Sequence, residues 1–231
     1  MSVRGVVFDL DGTLVDNMAL HAQAFAAFMS RHALPPLDAG GRARLDGKRN
    51  ADIFPDLFGR TLPLEELRAY AEEKEGLYRE LSRGRLSPLA GLERLLERLG
   101  ACGIPFAVAT SGPAENVRHT LAETGLAARL AVVVRGDEVP RGKPHPDIFL
   151  AAAERIGVAA SACLAFEDSP MGVVAARAAG MTCIAVTTSF SAEAFQAAGV
   201  VPDALVADFD AFLTGRGRPL LDLDPAAEAT S

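Results

Sequence analysis

The sequence of 231 residues has no long apolar run. None approaches the ~20 residues that a helix needs to cross a bilayer, so we expect no membrane-spanning segment. The apolar stretch near the N-terminus is too short for the hydrophobic region of a signal peptide, and acidic residues interrupt it at once. We therefore predict neither a membrane protein nor a secreted one, and we expect a cytoplasmic location.

The sequence also lacks a surplus of basic residues. It contains 23 Lys and Arg against 30 Asp and Glu, which gives a net charge of −7 at pH 7. Proteins that bind nucleic acids usually carry a positive surplus, so we predict no nucleic-acid partner.

Cysteine is scarce as well. The three cysteines, Cys102, Cys163 and Cys183, are an odd number and form no Cys-x-x-Cys pair. Cys163 and Cys183 lie within apolar runs typical of strands, where a free cysteine behaves as a small hydrophobic residue. We therefore expect neither a disulfide framework nor a redox or metal role for them.

What the sequence does have is an alternation of short apolar runs and helical patterns. Its 49% hydrophobic and 23% charged residues are typical of a globular protein. The apolar runs predict strands over residues 3–8, 105–111, 129–136, 161–166, 181–188 and 203–209. Helical patterns lie between the later runs, over residues 92–103, 114–125, 145–157, 170–180 and 191–199. This alternation predicts the α/β class, with a parallel sheet and helices on both of its faces.

An all-helical segment interrupts the alternation after the first strand. A helical pattern begins at Asn17 and ends at about Ala33, and residues 65–81 predict a long amphipathic helix. Residues 37–87 contain no convincing strand. We predict a core, an inserted helical cap and a loose tail, formed respectively by residues 1–15 with 88–215, residues 16–87 and residues 216–231.

Two carboxylates stand two residues apart where the first predicted strand ends. They are Asp9 and Asp11, in the segment FDLDGT. In an open parallel sheet, ligands bind in the crevice at the carboxyl ends of the strands. Gly12 permits a tight bend that can direct both carboxylates into that crevice. The alternative is an ordinary Asp-Gly turn without a chemical role.

Later strand ends carry further polar groups. Residues 110–112 follow the second strand and precede a helix, where hydroxyls and backbone N–H groups form a natural anion site. Lys143, one of only three lysines beside twenty arginines, stands between a glycine and a proline as a compact positive charge. Glu167 and Asp168 follow the next strand. Four polar stations at successive strand ends indicate one site.

These four stations, in this order, resemble those of the haloacid dehalogenase-like hydrolase superfamily, over nearly the whole chain. The resemblance implies a Rossmann-like core with a helical cap inserted after the first strand. It also implies Mg²⁺-dependent phosphoryl transfer through an aspartyl-phosphate.

The resemblance implies a role for each station. Asp9 is then the nucleophile, and Asp11 is the general acid and base that protonates the leaving alcohol and deprotonates the attacking water. Lys143 neutralises the nucleophile and the phosphate. The implied Mg²⁺ ligands are the carboxylates of Asp9 and Asp168, the main-chain carbonyl of Asp11 and, through water, Glu167. The implied phosphate contacts are Thr110, Ser111 and Gly112.

The second aspartate narrows the substrate class. Dehalogenases of the superfamily lack an aspartate at the position of Asp11, so the resemblance points to phosphate esters and to a phosphatase or a phosphomutase. The subgroup of β-phosphoglucomutase resembles this chain most. His21, Gly47 and Lys74 correspond to substrate-side residues of its hinge and cap.

A mutase needs a second phosphate site, and the charges of that site are missing. Asn50 stands where the subgroup has an arginine, Asp46 where it has a lysine, and residues 112–114 where it has a polar trio with lysine. We therefore favour a phosphatase that acts on small phosphorylated metabolites, sugar phosphates among them. A phosphomutase is the alternative, and a non-catalytic phosphate-binding module is an alternative of another class.

Two further features of the cap have open interpretations. His21 is either a half-buried helix histidine or a residue that gates the cleft. Lys48, with its neighbours Arg42, Arg44 and Arg49, forms either a solvated face or contacts to an anionic substrate.

The cap is expected to open and close in each cycle, because water must be excluded while Asp9 is phosphorylated and admitted for hydrolysis. Residues 15–17 and 87–91 are the predicted hinges. We expect a monomer or a small homo-oligomer.

Overall fold

The computed structural model describes residues 3–38, 40–41 and 44–215. Six parallel strands form one sheet in the order β3-β2-β1-β4-β5-β6, which confirms the predicted α/β class. The strands are β1 (Gly5–Phe8), β2 (Phe106–Thr110), β3 (Val133–Arg135), β4 (Cys163–Glu167), β5 (Thr182–Val186) and β6 (Ala204–Val206). Every residue of the central strands β1 and β4 is buried, as their apolar composition predicts.

Nine helices have both of their ends within the described residues. They are α1 (Met18–Arg31), α2 (Asn50–Phe58), α3 (Leu64–Ser82), α4 (Leu92–Ala101), α5 (Ala114–Glu123), α6 (Asp147–Arg155), α7 (Pro170–Ala178), α8 (Ala192–Ala197) and α9 (Phe209–Thr214). Short 3₁₀ turns occupy Gly136–Glu138 and Ala160–Ala162. Across these ranges, no helix has both the length and the apolar character that a membrane crossing requires.

Apolar side chains cover both faces of the sheet. On one face, Phe8 stacks on Phe166 with ring centroids 5.3 Å apart, beside leucines of α4 and Phe209 of α9. On the other face, small residues of the strands pack against α6 and α7. Cys163 and Cys183 are free and buried in this second layer, as expected of small hydrophobic residues.

Helices α1, α2 and α3 lie between β1 and α4 in the chain and share apolar clusters of their own. The chain passes between the sheet and these helices twice, and the two crossings pair with each other. Val15 forms an antiparallel bridge with Pro88, and the N–H of Leu89 donates to the carbonyl of Leu14 over 2.8 Å. The division into core and cap, with its two hinges, stays a prediction.

Several elements differ from the expectation, and β6 has three residues rather than the predicted seven. Helix α2 was not predicted, because Pro55 breaks its helical pattern; contacts of the buried Ile53 and Phe54 with the rest of the cap stabilise it nonetheless. Strand β3 has three residues rather than eight, because Leu130 packs into the core before the chain reaches the sheet edge. The predicted tail of residues 216–231 lies outside the described residues.

Candidate active site

The cleft at the carboxyl ends of β1 and β4 contains four buried charged side chains. The two strands pair in parallel, and the N–H of Asp9 donates to the carbonyl of Phe166 over 2.9 Å, which sets Asp9 beside Glu167 and Asp168. Lys143 comes from the loop that precedes α6, and its Nζ lies 2.5 Å from both Asp9 Oδ1 and Glu167 Oε1. All four side chains are buried.

Burial and neighbouring charges shift the pKa values of these groups. Burial raises the pKa of Asp9 to about 8, although Lys143 acts in the opposite direction. Burial, Glu167 and Asp9 together raise the pKa of Asp168 well above its ordinary value. Burial alone would lower the pKa of Lys143, but Asp9 and Glu167 outweigh it and raise that pKa. Three carboxyl groups thus share one ammonium group, so the cluster has fewer positive charges than it has carboxyl groups to neutralise.

The acidic cluster fits a divalent metal ion. Asp9, Glu167 and Asp168 can each offer one oxygen, and these oxygens lie within 4.8 Å of one another. Carboxylate oxygens are the ligands that Mg²⁺ prefers. Glu167 already accepts hydrogen bonds from Lys143 and, over 2.8 and 2.9 Å, from the N–H and the hydroxyl of Ser169. The arrangement therefore suits Asp9 and Asp168 as direct ligands and Glu167 as a ligand through water.

Gly12 allows the loop after β1 to approach this cluster. Its φ is +84°, and a Cβ at this position would lie 1.9 Å from Asp168 Oδ2. Only glycine accommodates both the bend and the close approach. The loop after β5 contacts both Gly12 and Asp168 through its hydroxyl groups. Thr188 donates to the carbonyl of Gly12, and Ser189 donates to Asp168.

The second aspartate, Asp11, lies in a separate hydrogen-bond network. Asn17 Nδ2 donates to Asp11 Oδ1 over 2.6 Å, and His21 Nε2 lies 3.6 Å from the same oxygen. Burial acts to raise the pKa of Asp11, but the nearby His21 and the hydrogen bond from Asn17 lower it below its ordinary value. The ring of Tyr78 stacks on His21 at 3.7 Å between centroids and fixes its orientation. Two aspartates of one loop thus have opposite pKa shifts, which suits different chemical roles.

The end of β2 supplies hydroxyl and amide groups to the cleft. Thr110 is buried, and its Oγ1 accepts a hydrogen bond of 3.0 Å from the N–H of Gly112. Helix α5 begins at Ala114, so these groups stand just ahead of a helix N-terminus. The hydroxyl of Ser111 donates to the carbonyl of Gly47 over 2.7 Å and so joins the sheet to the cap.

The cap side of the cleft carries buried charges of both signs. Lys74 Nζ lies 3.0 Å from His21 Nδ1 and 3.0 Å from Glu75 Oε1. Lys48 also lines the cleft and pairs with Asp56 over 3.3 Å.

The cleft between the two sides is small. Its volume of ≈ 80 Å³ is well below the roughly 300–1,000 Å³ typical of ligand pockets, which agrees with the expectation that the cap moves to admit a substrate. The structure brings the predicted residues together there, and those in its lining are Asp9, Asp11, His21, Gly47, Lys48, Lys74, Thr110, Ser111, Gly112, Glu167 and Asp168. Lys143 is buried beside the lining, against Asp9 and Glu167.

Comparison with known proteins agrees with this geometry. The sequence profile of the haloacid dehalogenase-like hydrolases matches residues 3–180. The chain belongs to this family. Hexitol phosphatase A of Escherichia coli (strain K12) is 37% identical over 199 residues, which are 80% of this chain and 84% of that protein. Validoxylamine A 7′-phosphate phosphatase of Streptomyces hygroscopicus subsp. limoneus is 32% identical over 204 residues, 84% of this chain and 91% of that protein.

A solved structure of the same family extends the likeness to three dimensions. The HAD hydrolase, family IA, variant 3, from Entamoeba histolytica HM-1:IMSS has a TM-score of 0.82 and 30% sequence identity to this chain. The match covers 96% of this chain and 99% of that one, so it includes both the sheet and the helices inserted after β1.

Arg49 differs from the expectation for this haloacid dehalogenase-like hydrolase. Its Nη1 donates to the carbonyls of Gly136 and Val139, both over 3.2 Å, and its Nε donates to Asp52 over 2.8 Å. Arg49 therefore joins the cap to the core loop that leads to Lys143. The prediction of a solvated face or a substrate contact is wrong for this residue, because its guanidinium is engaged by backbone carbonyls.

The other basic residues of the segment have different environments. Arg44 is exposed, Lys48 is half-buried, and Arg42 lies outside the described residues.

Sequence reasoning missed several polar residues of the site, namely Asn17, Glu75, Asn116 and Ser189. For Glu75, the sequence did contain a signal. Lys74 and Tyr78 are four residues apart and therefore share one face of α3, and Glu75 is next to Lys74 in the chain. Asn17 contacts Asp11 only six residues away, but its contact with Tyr78 spans 61 residues and that of Asn116 with Glu75 spans 41, so these longer contacts gave no local signal.

Proposed function

We propose that this protein is a Mg²⁺-dependent phosphatase that hydrolyses phosphate monoesters of small polyhydroxylated metabolites, sugar phosphates among them, through phosphorylation of Asp9. The observation that carries the proposal is the contrast between two aspartates of one loop. Asp9 lies against Lys143 in the acidic cluster, and Asp11 lies against Asn17 and His21. The names of the relatives, a hexitol phosphatase and a validoxylamine A 7′-phosphate phosphatase, support the substrate class.

Asp9 is the nucleophile of this proposal. A carboxylate that attacks a phosphate monoester meets a like charge, and each pair of unit charges at ~4 Å costs about 4 kcal/mol at an effective dielectric constant near 20. Lys143, 2.5 Å from Asp9, offsets part of this repulsion. Asp9 and Asp168 would hold Mg²⁺, which would supply the remaining positive charge and polarise a phosphoryl oxygen. The hydroxyl of Thr110 and the N–H groups that follow it are placed to hold the other phosphoryl oxygens.

Asp11 is the acid and the base of this proposal. Its lowered pKa favours the carboxylate form, which is the form that removes a proton from the hydrolytic water. A bound phosphate brings negative charge close to Asp11 and raises its pKa, because like charges disfavour ionisation. Substrate binding thus favours the protonated form that the leaving oxygen needs, and Asn17 and His21 hold the carboxyl group in place for both steps.

A phosphomutase is less well supported than a phosphatase. Asn50, at the position where a mutase of this subgroup has an arginine, donates to Glu75 over 2.8 Å. A buried carboxylate thus occupies the part of the cap where a second phosphate would need a positive charge. The non-catalytic alternative is also less well supported, because every catalytic station of the family is filled by a suitable side chain.

Phosphate release tests the proposal. Purified protein is incubated with sorbitol 6-phosphate, fructose 1-phosphate and glycerol 3-phosphate, with Mg²⁺ or with EDTA. We expect turnover with Mg²⁺ alone, abolished by Asp9→Asn and retained by Asp16→Asn, which removes an exposed carboxylate from the same segment. In Asp11→Asn, we expect kcat to fall by about 10²–10⁴-fold.

Two further measurements decide between the alternatives. Conversion of glucose 1-phosphate to glucose 6-phosphate would favour the mutase. Phosphate binding without turnover, unchanged by Asp9→Asn, would favour the non-catalytic module. A cytoplasmic location and a monomeric or small homo-oligomeric state stay predictions beside this proposal.

A further inference from the structure

A buried carboxylate, Glu75, lies on the cap side of the active-site cleft. Its side chain is 5% exposed, and the residue is part of the cleft lining. Lys74 Nζ and Asn50 Nδ2 donate to Oε1 over 3.0 and 2.8 Å, and Asn116 Nδ2 donates to Oε2 over 2.6 Å. Three donors on two cap elements and one core helix therefore hold the carboxylate in a fixed position.

The hydrogen bonds of the protein do not use the full acceptor capacity of Glu75. Burial acts to raise its pKa, but the neighbouring Lys74 and His21 and the amide of Asn50 lower it, which favours the carboxylate. A carboxylate has about four acceptor positions, and three are used by the protein. The remaining position, on Oε2, can accept a hydrogen bond from a hydroxyl group and repels an anion.

The charges around Glu75 leave no surplus of positive charge for a second anionic group. Lys74 is adjacent to Glu75, and the two charges cancel. Lys48, the other lysine of the lining, pairs with Asp56. Asn50 and Asn116 are neutral, and both amides are oriented towards Glu75.

We propose that Glu75 is a specificity-determining residue that selects phosphate monoesters whose remaining part is a neutral polyol. It accepts a hydrogen bond from a substrate hydroxyl, and it disfavours substrates that carry a second phosphate or a carboxylate at the cap end. This inference rests on the proposed phosphatase activity, and it concerns only the choice among phosphate monoesters.

A pair of matched substrates tests the selection. Glycerol 3-phosphate and 3-phosphoglycerate have similar size, but one ends in a hydroxymethyl group and the other in a carboxylate. We expect the wild-type protein to prefer glycerol 3-phosphate in kcat/KM. In Glu75→Gln, which keeps the size of the side chain, we expect the ratio of the two kcat/KM values to shift towards 3-phosphoglycerate by about tenfold or more. Fructose 1-phosphate and fructose 1,6-bisphosphate form a second pair with the same expectation.

Two further variants make the test specific. Glu80→Gln removes an exposed carboxylate from the same helix, so we expect the wild-type ratio. Asn50→Lys retains Glu75 but adds a positive charge beside it, so we expect a shift in the same direction as in Glu75→Gln. If Glu75→Gln fails to fold, Asn50→Lys still tests the proposal.

The outcomes separate this inference from the proposed function. Equal losses of kcat/KM for both substrates of a pair, in Glu75→Gln and in Asn50→Lys, would assign Glu75 a merely structural role and overturn the selection. A wild-type preference for 3-phosphoglycerate would overturn it as well. Absence of turnover with every phosphate monoester would instead contradict the phosphatase itself.

Discussion

At the scale of single residues, Lys143 is the cation that faces the acidic cluster. Its Nζ contacts Asp9 and Glu167 at 2.5 Å, and all three side chains are buried. Removal of one partner from a buried ion pair leaves the others without compensation. The lysine therefore contributes both to the stability of the fold and to the ionised state of Asp9.

We expect Lys143→Met to lower kcat by about 10²–10³-fold, because it removes the cation nearest to the reacting carboxylate. We also expect the free energy of unfolding to fall by about 3–5 kcal/mol. Steady-state phosphate release and urea unfolding measure the two effects. Arg141→Met, which changes an exposed residue of the same loop, should leave both close to wild type. A normal kcat in Lys143→Met would contradict the role assigned to this lysine.

The sequence was informative about single residues where a polar group directly follows a strand. Asp9, Thr110 and Glu167 could be placed in one cleft, because the carboxyl ends of parallel strands meet at one edge. Glu75 could not, because its contacts come from residues 25 and 41 positions away and depend on how the cap packs on the sheet.

At the scale of elements, one contact between the cap and the sheet joins the start of α2 to the loop after β3. Arg49, which directly precedes α2, donates to two carbonyls of that loop and is half-buried. An added Cβ at Gly142 would lie 2.6 Å from Arg49 Nε, so the guanidinium also packs against the residue before Lys143. The contact thus links Arg49 of the inserted segment to the loop that carries Lys143.

We expect Arg49→Ala to change both kcat and KM and to increase the population of the open cap about tenfold, since each lost hydrogen bond is worth roughly 0.5–1.5 kcal/mol. Amide hydrogen exchange in α2 should become faster. Arg44→Ala, which removes an exposed neighbouring arginine, serves as the matched control and should exchange as wild type does. Wild-type kinetics and exchange in Arg49→Ala would show that the contact does not hold the cap against the sheet.

The elements themselves were predictable to the extent that their signal is local. Apolar runs located the strands, and periodicity located α3 almost to its ends. Helix α2 escaped prediction because Pro55 interrupts a short pattern that tertiary contacts stabilise.

At the scale of the whole molecule, the acidic cluster makes stability depend on pH. In the metal-free protein the pKa of Asp9 is about 8, above its ordinary value of 3.8, so the folded state holds a proton that the unfolded chain releases. This contribution to the free energy of unfolding is complete below about pH 4 and is lost as the pH rises to about 8. Metal binding needs ionised carboxylates and so acts in the opposite direction.

We therefore expect Mg²⁺ to raise Tm by several degrees more at about pH 8 than at about pH 5.5, as scanning fluorimetry can measure. Asp168→Asn should remove most of this increase. Asp137→Asn, at an exposed position, should keep it. An increase of Tm that is the same at both pH values, or that survives in Asp168→Asn, would contradict a metal site at this cluster.

The pairing of Val15 with Pro88 has a consequence for how such enzymes can diversify. The chain enters and leaves the inserted helices at two neighbouring points, so the insert is joined to the sheet through one pair of adjacent segments. A different set of helices, with termini equally close, can be exchanged at this point without disturbing the order of the six strands. Substrate range can then change with the insert, while the sheet keeps the acidic cluster.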